Sequence, residues 1–423
     1  MRTRPVWVEI SREKLIANYI ELVATARRHL AAQGARAGDD AGAEANAAPA
    51  ILAVVKADAY GHGMTECARL LHGAGAQWLG VTSVEEAVRA RALCPAAQLL
   101  VMSGIWDGEA DAVVEHRLAP VVWENFHLDL LEAEARRQGL PPRSVGVHLE
   151  LDTGMSRQGV GLRGGALKEI LMRFHAGSAL RLDGLATHFS APEVLDSDET
   201  ERQRALFDSA LRVVAAAGLR PPWIHAGNSA TLLRGEQLAP LSAAAARIGA
   251  RLMLRPGLAL YGYAPRFSGN APRFSGNAQT LADEGFPLPK LSPVLTWKTR
   301  IASLRQIETG ESAGYNATFR AYRSTRLALL PMGYADGLSR SLSNRGSVLV
   351  QGRRAPIAGR ISMDQTILDI TDLGEVKIGD EAVVLGEQGG ESITAWEMAD
   401  LAGTIPYEVL CNIAARVARV PVD

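Results

Sequence analysis

The chain of 423 residues carries almost no net charge, 45 Lys and Arg against 46 Asp and Glu, and no block of like charge. Nucleic acid and anionic membrane surfaces both select for clustered positive charge, so neither is expected as a partner. No apolar run reaches the roughly 18 residues that span a bilayer, and Met1 to Ile10 (MRTRPVWVEI) lacks the apolar core of a secretory signal; a cytoplasmic protein is expected. Cysteine is scarce: Cys67, Cys94 and Cys411 are far apart and form no C-x-x-C, which argues against a disulfide framework or a zinc site. The nine histidines contain no H-E-x-x-H pair, and no metal is expected. Lysine is scarcer than arginine, six against 39. Five of the six sit in polar or mixed surroundings, whereas Lys56 ends the run Ile51-Leu52-Ala53-Val54-Val55, which reads as a buried strand.

What is present is an ordinary globular composition, 47% apolar and 22% charged, in a chain long enough for two domains. Short apolar runs at 51–55, 78–82, 98–102, 118–122, 145–151, 181–187, 222–226 and 251–254 predict eight strands. Amphipathic stretches separate them, including 83–92, opened by Ser83-Val84-Glu85-Glu86 as a capping box, and 199–217. Eight strand and helix pairs over about 200 residues predict a (β/α)8 TIM barrel, with its active site at the C-terminal ends of the strands. An open doubly wound sheet is the alternative, and no G-x-G-x-x-G after the first strand supports it. From about residue 290 the texture becomes β-branched and alternating, at Val294–Ile301, Arg326–Leu330, Gly346–Val350, Thr366–Ile370 and Glu381–Leu385, predicting a C-terminal mostly-β domain. The expected organisation is α/β: a barrel over 11–264, a linker over 265–284 that contains PRFSGNA twice in tandem, and the β domain over 285–423. Gly34–Pro49 reads as a low-complexity loop.

The predicted strand ends gather chemistry. Lys56 closes the first, where an amine among apolar walls can form a Schiff base. The fifth ends in Asp152-Thr153-Gly154-Met155-Ser156-Arg157, the sixth in Thr187-His188-Phe189-Ser190, the seventh in His225-Ala226-Gly227-Asn228-Ser229, and the eighth in Arg255-Pro256-Gly257-Leu258. The set suits pyridoxal 5'-phosphate, which needs an amine, a flat imidazole for the ring face, hydroxyl and backbone N–H groups for the phosphate, and a cation near the pyridine nitrogen. Singly, His188 also reads as a hydrogen-bonded core residue and Ser229 as a helix N-cap.

Nine blocks in order then resemble the alanine racemases: AVVKADAYGHG (53–63), LDTGMSRQGV (151–160), THFS (187–190), HAGNSAT (225–231), RPGLALYG (255–262), AGYNATF (313–319), MGYADG (332–337), AGRISMDQ (358–365) and TIPYEVL (404–410). The resemblance implies a homodimer with shared active sites and alanine as substrate. Lys56 would hold the cofactor and act as one acid/base, with Tyr315 of the partner subunit as the other. Arg157 would lie near the substrate carboxylate, His188 beside the ring, and Arg255 at the pyridine nitrogen. Phosphate contacts would fall to Tyr60, Ser229, Tyr407 and backbone at Gly257 and Leu258, with Asn228 nearby; Tyr334 and Met363 of the partner subunit would shape substrate entry and the carboxylate site. The resemblance also groups the first strand, within residues 1–10, with the β domain.

Racemisation removes an α-proton from one face and returns it on the other, so two opposed bases are a direct solution. The guanidinium of Arg255 hardly gives up a proton, so the ring remains a weaker electron sink and transamination is suppressed. Many family members carry a carboxylated Lys where this chain has Glu150. A carboxylate there can pair with Arg157, or point into the barrel toward another cation. Ser362 stands where the family often has Cys. The implied function is interconversion of L- and D-alanine, either supplying D-alanine for peptidoglycan or serving alanine catabolism. A broad-specificity or serine racemase and a non-catalytic pyridoxal-phosphate carrier are the alternatives.

Overall fold

A computed structural model describes residues 4–37, 48–267 and 288–423. The described residues form two compact units, one from Leu15–Ala57 and Met64–Ser292, the other from Met1–Lys14, Asp58–Gly63 and Pro293–Asp423. The larger is a closed barrel of eight parallel strands, Ala50–Val54, Trp78–Val81, Gln98–Val101, Ala119–Val122, Val145–Asp152, Leu180–Ala186, Trp223–His225 and Arg251–Leu254. Pairing of Met253 with Ala50 and of Leu254 with Ile51 closes it. The eight strands predicted from apolar runs are all present, because runs too short for a helix but apolar on both faces fit only a sheet covered on both sides. The fold class is a TIM barrel with a mostly-β domain. Leu52, Leu79, Leu99 and Phe207 are among the largest fully buried side chains.

The first helix, Arg12–Ala37, runs past Gly34 into the segment expected to be loop; the rest of that segment to residue 47, and the tandem PRFSGNA beyond Phe267, lie outside the described residues. Ser83 Oγ accepts from Glu86 N at 3.3 Å, as a capping residue should. The expected box does not close, because the Glu86 carboxylate accepts from Thr82 N and Ala57 N, each at 2.8 Å. No helix among the described residues is long and apolar enough to cross a membrane.

In the second unit, Leu295–Arg300 lies between Val6–Ser11 and Glu381–Gln388, antiparallel to both, and Val6–Ser11 also pairs in parallel with Ala418–Val422. Lys298 on the middle strand bridges Glu9 (3.0 Å) and Glu381 (3.1 Å) on its two neighbours. Ser303–Ile307, Thr325–Leu330 and Thr366–Asp369 make a separate three-stranded sheet. Pattern reading missed Ser303–Ile307, which is exposed at four of its five positions and so shows no apolar alternation.

Immediately after Lys56 the backbone turns left-handed over four non-glycine residues, Ala57, Asp58, Ala59 and Tyr60, with φ between 52° and 57°. Each such residue brings Cβ against the following carbonyl at a cost of roughly 1–2 kcal/mol, so the turn persists only because its surroundings hold it. His62 N donates to Ala59 O (3.0 Å) and Gly63 N to Asp58 O (2.8 Å). Gly61 is required: a Cβ there would lie 2.1 Å from Leu410 O. Ala59 is fully buried, and a β-branched residue tolerates this conformation worst. Ala59→Val should therefore destabilise the protein by about 2 kcal/mol or more. Equilibrium urea unfolding checks this, and an unchanged midpoint would show that the turn is not under strain.

Candidate active site

Lys56 lies two residues beyond the first barrel strand, on backbone fixed from three directions. Val55 N donates to Gly80 O (2.8 Å), the Tyr261 hydroxyl donates to Val54 O (2.9 Å), and Glu86 takes the N–H of Ala57. Beyond the fifth strand, Asp152 Oδ1 accepts from Gly154 N (2.9 Å) and Ser156 N (3.0 Å), shaping the turn that carries Arg157. Beyond the sixth, fully buried Gln203 donates to His188 O (3.0 Å) and Thr153 Oγ1 (3.2 Å), and accepts from Ser190 N (2.9 Å). After the seventh strand, Asn228 Oδ1 caps the helix Ser229–Arg234 by accepting from Ala230 N (3.0 Å) and Thr231 N (3.2 Å). The cap is thus Asn228 and not Ser229. Ser229 Oγ instead accepts from Gly257 N (3.1 Å) and Ala259 N (3.2 Å), tying it to the turn that contains Leu258.

Arg255 organises the mouth. Its guanidinium donates to His225 O (2.6 Å) and Thr187 O (2.9 Å), and lies 3.0 Å from His225 Nδ1 and 3.2 Å from His188 Nδ1. A guanidinium has no acceptor, so His188 Nδ1 offers its lone pair and the hydrogen sits on Nε2. Burial, and then Arg255, Arg157 and Lys56, push His188 down to about 3. The imidazole is therefore neutral near pH 7. Three cations thus disfavour a charge on this ring.

Glu150 is the carboxylate of this region. It is buried and accepts from Gln158 Nε2 at 2.7 Å, while the same amide donates to Met102 O at 3.0 Å. Of the two alternatives open from sequence, the pair with Arg157 is absent: among the described residues Glu150 makes no ion pair, and Arg157 is exposed. Burial raises the Glu150 carboxyl above its ordinary range, opposed first by Arg255, then by the Gln158 hydrogen bond and by Arg157. Glu150 takes Gln158 as its hydrogen-bond partner instead, and Arg255 is the larger of the two cationic influences on it. A carboxyl raised by folding takes up a proton above the ordinary Glu value, so stability falls as pH rises through that window. Glu150→Gln removes this penalty. Denaturation midpoints should shift in favour of the variant as pH rises above the ordinary Glu range, and a difference independent of pH would contradict the assignment.

The remaining site residues predicted from sequence belong to the second unit. Tyr60 is buried with its ring centroid 5.9 Å from that of Tyr407. Burial first, and then Tyr407 and Cys411, raise its hydroxyl, which keeps it a neutral donor. Tyr315 is 67% exposed, on a turn in which Gly314 (φ 75°) and Asn316 (φ 61°) are both left-handed. Tyr334 and Met363, 42% and 55% exposed, are brought together by Tyr334 N to Ser362 O and Ala335 N to Met363 O, both 3.0 Å. Gly333 permits that approach, as a Cβ would lie 2.0 Å from Ser362 O.

Sequence reading missed Gln158, Gln203, Glu86, Tyr261 and His148. Only His148 left a signal, since His148 and Glu150 interrupt Val147, Leu149 and Leu151 at alternate positions and so share a face of the strand.

Residues 40–265 match the family model "Alanine racemase, N-terminal domain" and residues 294–421 match "Alanine racemase, C-terminal domain". The alanine racemase of Symbiobacterium thermophilum is 36% identical over 417 residues, covering 98% of this chain and 97% of that protein. That of Sorangium cellulosum is 40% identical over 379 residues, covering 88% and 91%. The crystal structure of the alanine racemase from Streptomyces lavendulae, 30% identical, superposes with a TM-score of 0.82 and covers 100% of this chain and 98% of that one.

Proposed function

The chain belongs to the alanine racemase family, and from that premise we propose that it interconverts L- and D-alanine with pyridoxal 5'-phosphate, using Lys56 and Tyr315 of the partner subunit as opposed bases. The observation that carries this reading is the mouth of the barrel, where Arg255 lies 3.2 Å from the Nδ1 of a neutral His188, Arg157 and Lys56 add positive charge, and buried Glu150 is the carboxylate acting on Arg255. A surplus of positive charge fits a ligand that is itself anionic at its phosphate and, with substrate, at a carboxylate. The bound cofactor supplies an electron-withdrawing ring that acidifies the substrate's α-hydrogen.

The protein's residues do the rest. Lys56 holds the cofactor through its amine and takes or returns a proton at Nζ on one face; the phenol oxygen of Tyr315 of the partner subunit does so on the other. Arg255 would donate to the ring nitrogen without protonating it, and Arg157 would bind the substrate carboxylate. Ser229 already accepts two backbone N–H bonds, which leaves its hydroxyl hydrogen for a phosphate oxygen. Tyr60, Tyr407, Asn228 and the backbone at Gly257 and Leu258 complete that set, and Tyr334 and Met363 of the partner subunit bound the substrate space. The assembly is a homodimer that supplies D-alanine for peptidoglycan or serves alanine catabolism.

The test is chemical. The purified protein should racemise L-alanine, absorb in the visible, and after borohydride reduction yield a single labelled peptide carrying Lys56. Label on Lys168 or Lys290 would remove the cofactor assignment.

A further inference from the structure

The barrel interior behind Arg255 holds two histidines, His148 and His225, to which the chemistry above gives no role. Both are fully buried. Their ring centroids are 4.9 Å apart, and His148 Nδ1 lies 2.8 Å from His225 Nε2. His225 Nδ1 in turn lies 3.0 Å from Arg255 Nη1.

The polarity of this chain follows from donor and acceptor chemistry alone. Arg255 can only donate, so His225 Nδ1 is the acceptor and the His225 hydrogen is on Nε2. That N–H donates to His148 Nδ1, which must then be bare, and the His148 hydrogen is on its own Nε2. His148 Nε2 is buried and has no partner among the described residues, consistent with its being the end of the line. The reverse polarity would set a His225 N–H against an Arg255 N–H at 3.0 Å.

The fold makes room for this arrangement. Gly184, inside the neighbouring strand Leu180–Ala186, faces His148 so closely that a Cβ would lie 2.1 Å from Nδ1, and a glycine in a strand interior otherwise weakens the strand.

We propose that His148 is a positioning residue for the racemisation: by accepting from His225 Nε2 it locks the tautomer in which His225 presents a lone pair to Arg255, and so holds the guanidinium in the orientation its role at the cofactor ring requires. This rests on the racemase reading of the site. Without His148, the His225 Nε2 hydrogen is buried unpaired. Moving it to Nδ1 relieves that cost but takes away the acceptor of Arg255, which loosens the guanidinium.

The test uses the holoenzyme with 15N-labelled histidine. Long-range 15N–1H spectra of the parent should show His225 protonated on Nε2 and bare on Nδ1. His148→Leu should give mixed tautomers at His225 and lower kcat for alanine about tenfold with KM changed much less. His148→Asn, which keeps an acceptor near the position of Nδ1, should restore both. A parent His225 protonated on Nδ1, a measurement that needs no variant, would overturn the proposal. So would a His148→Leu enzyme whose His225 tautomer and kcat match the parent. A parent that binds pyridoxal phosphate but does not racemise L-alanine would sink the functional reading instead, a result distinct from either.

Discussion

Lys56→Ala should abolish racemisation, lowering kcat by about 10⁴-fold or more, and mixing it with a Tyr315→Phe chain should bring activity back. In the proposed homodimer each site takes Lys56 from one chain and Tyr315 from the other, so one of the two sites in each mixed dimer has both bases. Random exchange then leaves about a quarter of all sites competent. The structural support is the 67% exposure of Tyr315 within its own chain. A phenol needs enclosure beside cations to serve as a base near neutrality. Activity is measured after subunit exchange has been verified with tagged chains. No recovery despite complete exchange would mean that each chain carries both bases to its own site.

Arg255→Leu should cost both stability and activity. The guanidinium holds His225 O, Thr187 O and the two imidazole nitrogens of His225 and His188, and it is the largest cationic influence on buried Glu150. Removing it leaves these acceptors unpaired and the carboxylate uncompensated, a loss of about 3 kcal/mol or more. Without the donor proposed at the ring nitrogen, racemisation should fall by at least about 10²-fold. Urea unfolding and a racemisation assay read the two effects separately. A variant as stable as the parent would show that these acceptors find other partners.

Much of the fold is legible in the order of residues. The eight barrel strands stand out as short runs apolar on both faces, a pattern that arises because a barrel strand is covered by side chains inside and by helices outside. The residues at their C-terminal ends follow from barrel geometry. The second unit is legible where a strand has a buried face, as at Thr366–Asp369, and not where a strand is exposed, as at Ser303–Ile307. Backbone hand is hidden altogether. Nothing in Ala57-Asp58-Ala59-Tyr60 suggests a left-handed turn, because those residues disfavour it and only the surrounding contacts impose it.

By itself, then, the order of residues determined the strand count, the fold class and the identity of the groups at the barrel mouth, since these depend on local periodicity and on which residue ends each run. The tertiary structure alone decided the partners. Glu150 could have reached Arg157 seven residues away, but it took Gln158 and the influence of Arg255. His148 met His225 across 77 positions of chain. Hydrogen-bond polarity and buried charge depend on which atoms closure of the barrel brings within about 3 Å of one another, and closure joins strands that lie far apart in sequence.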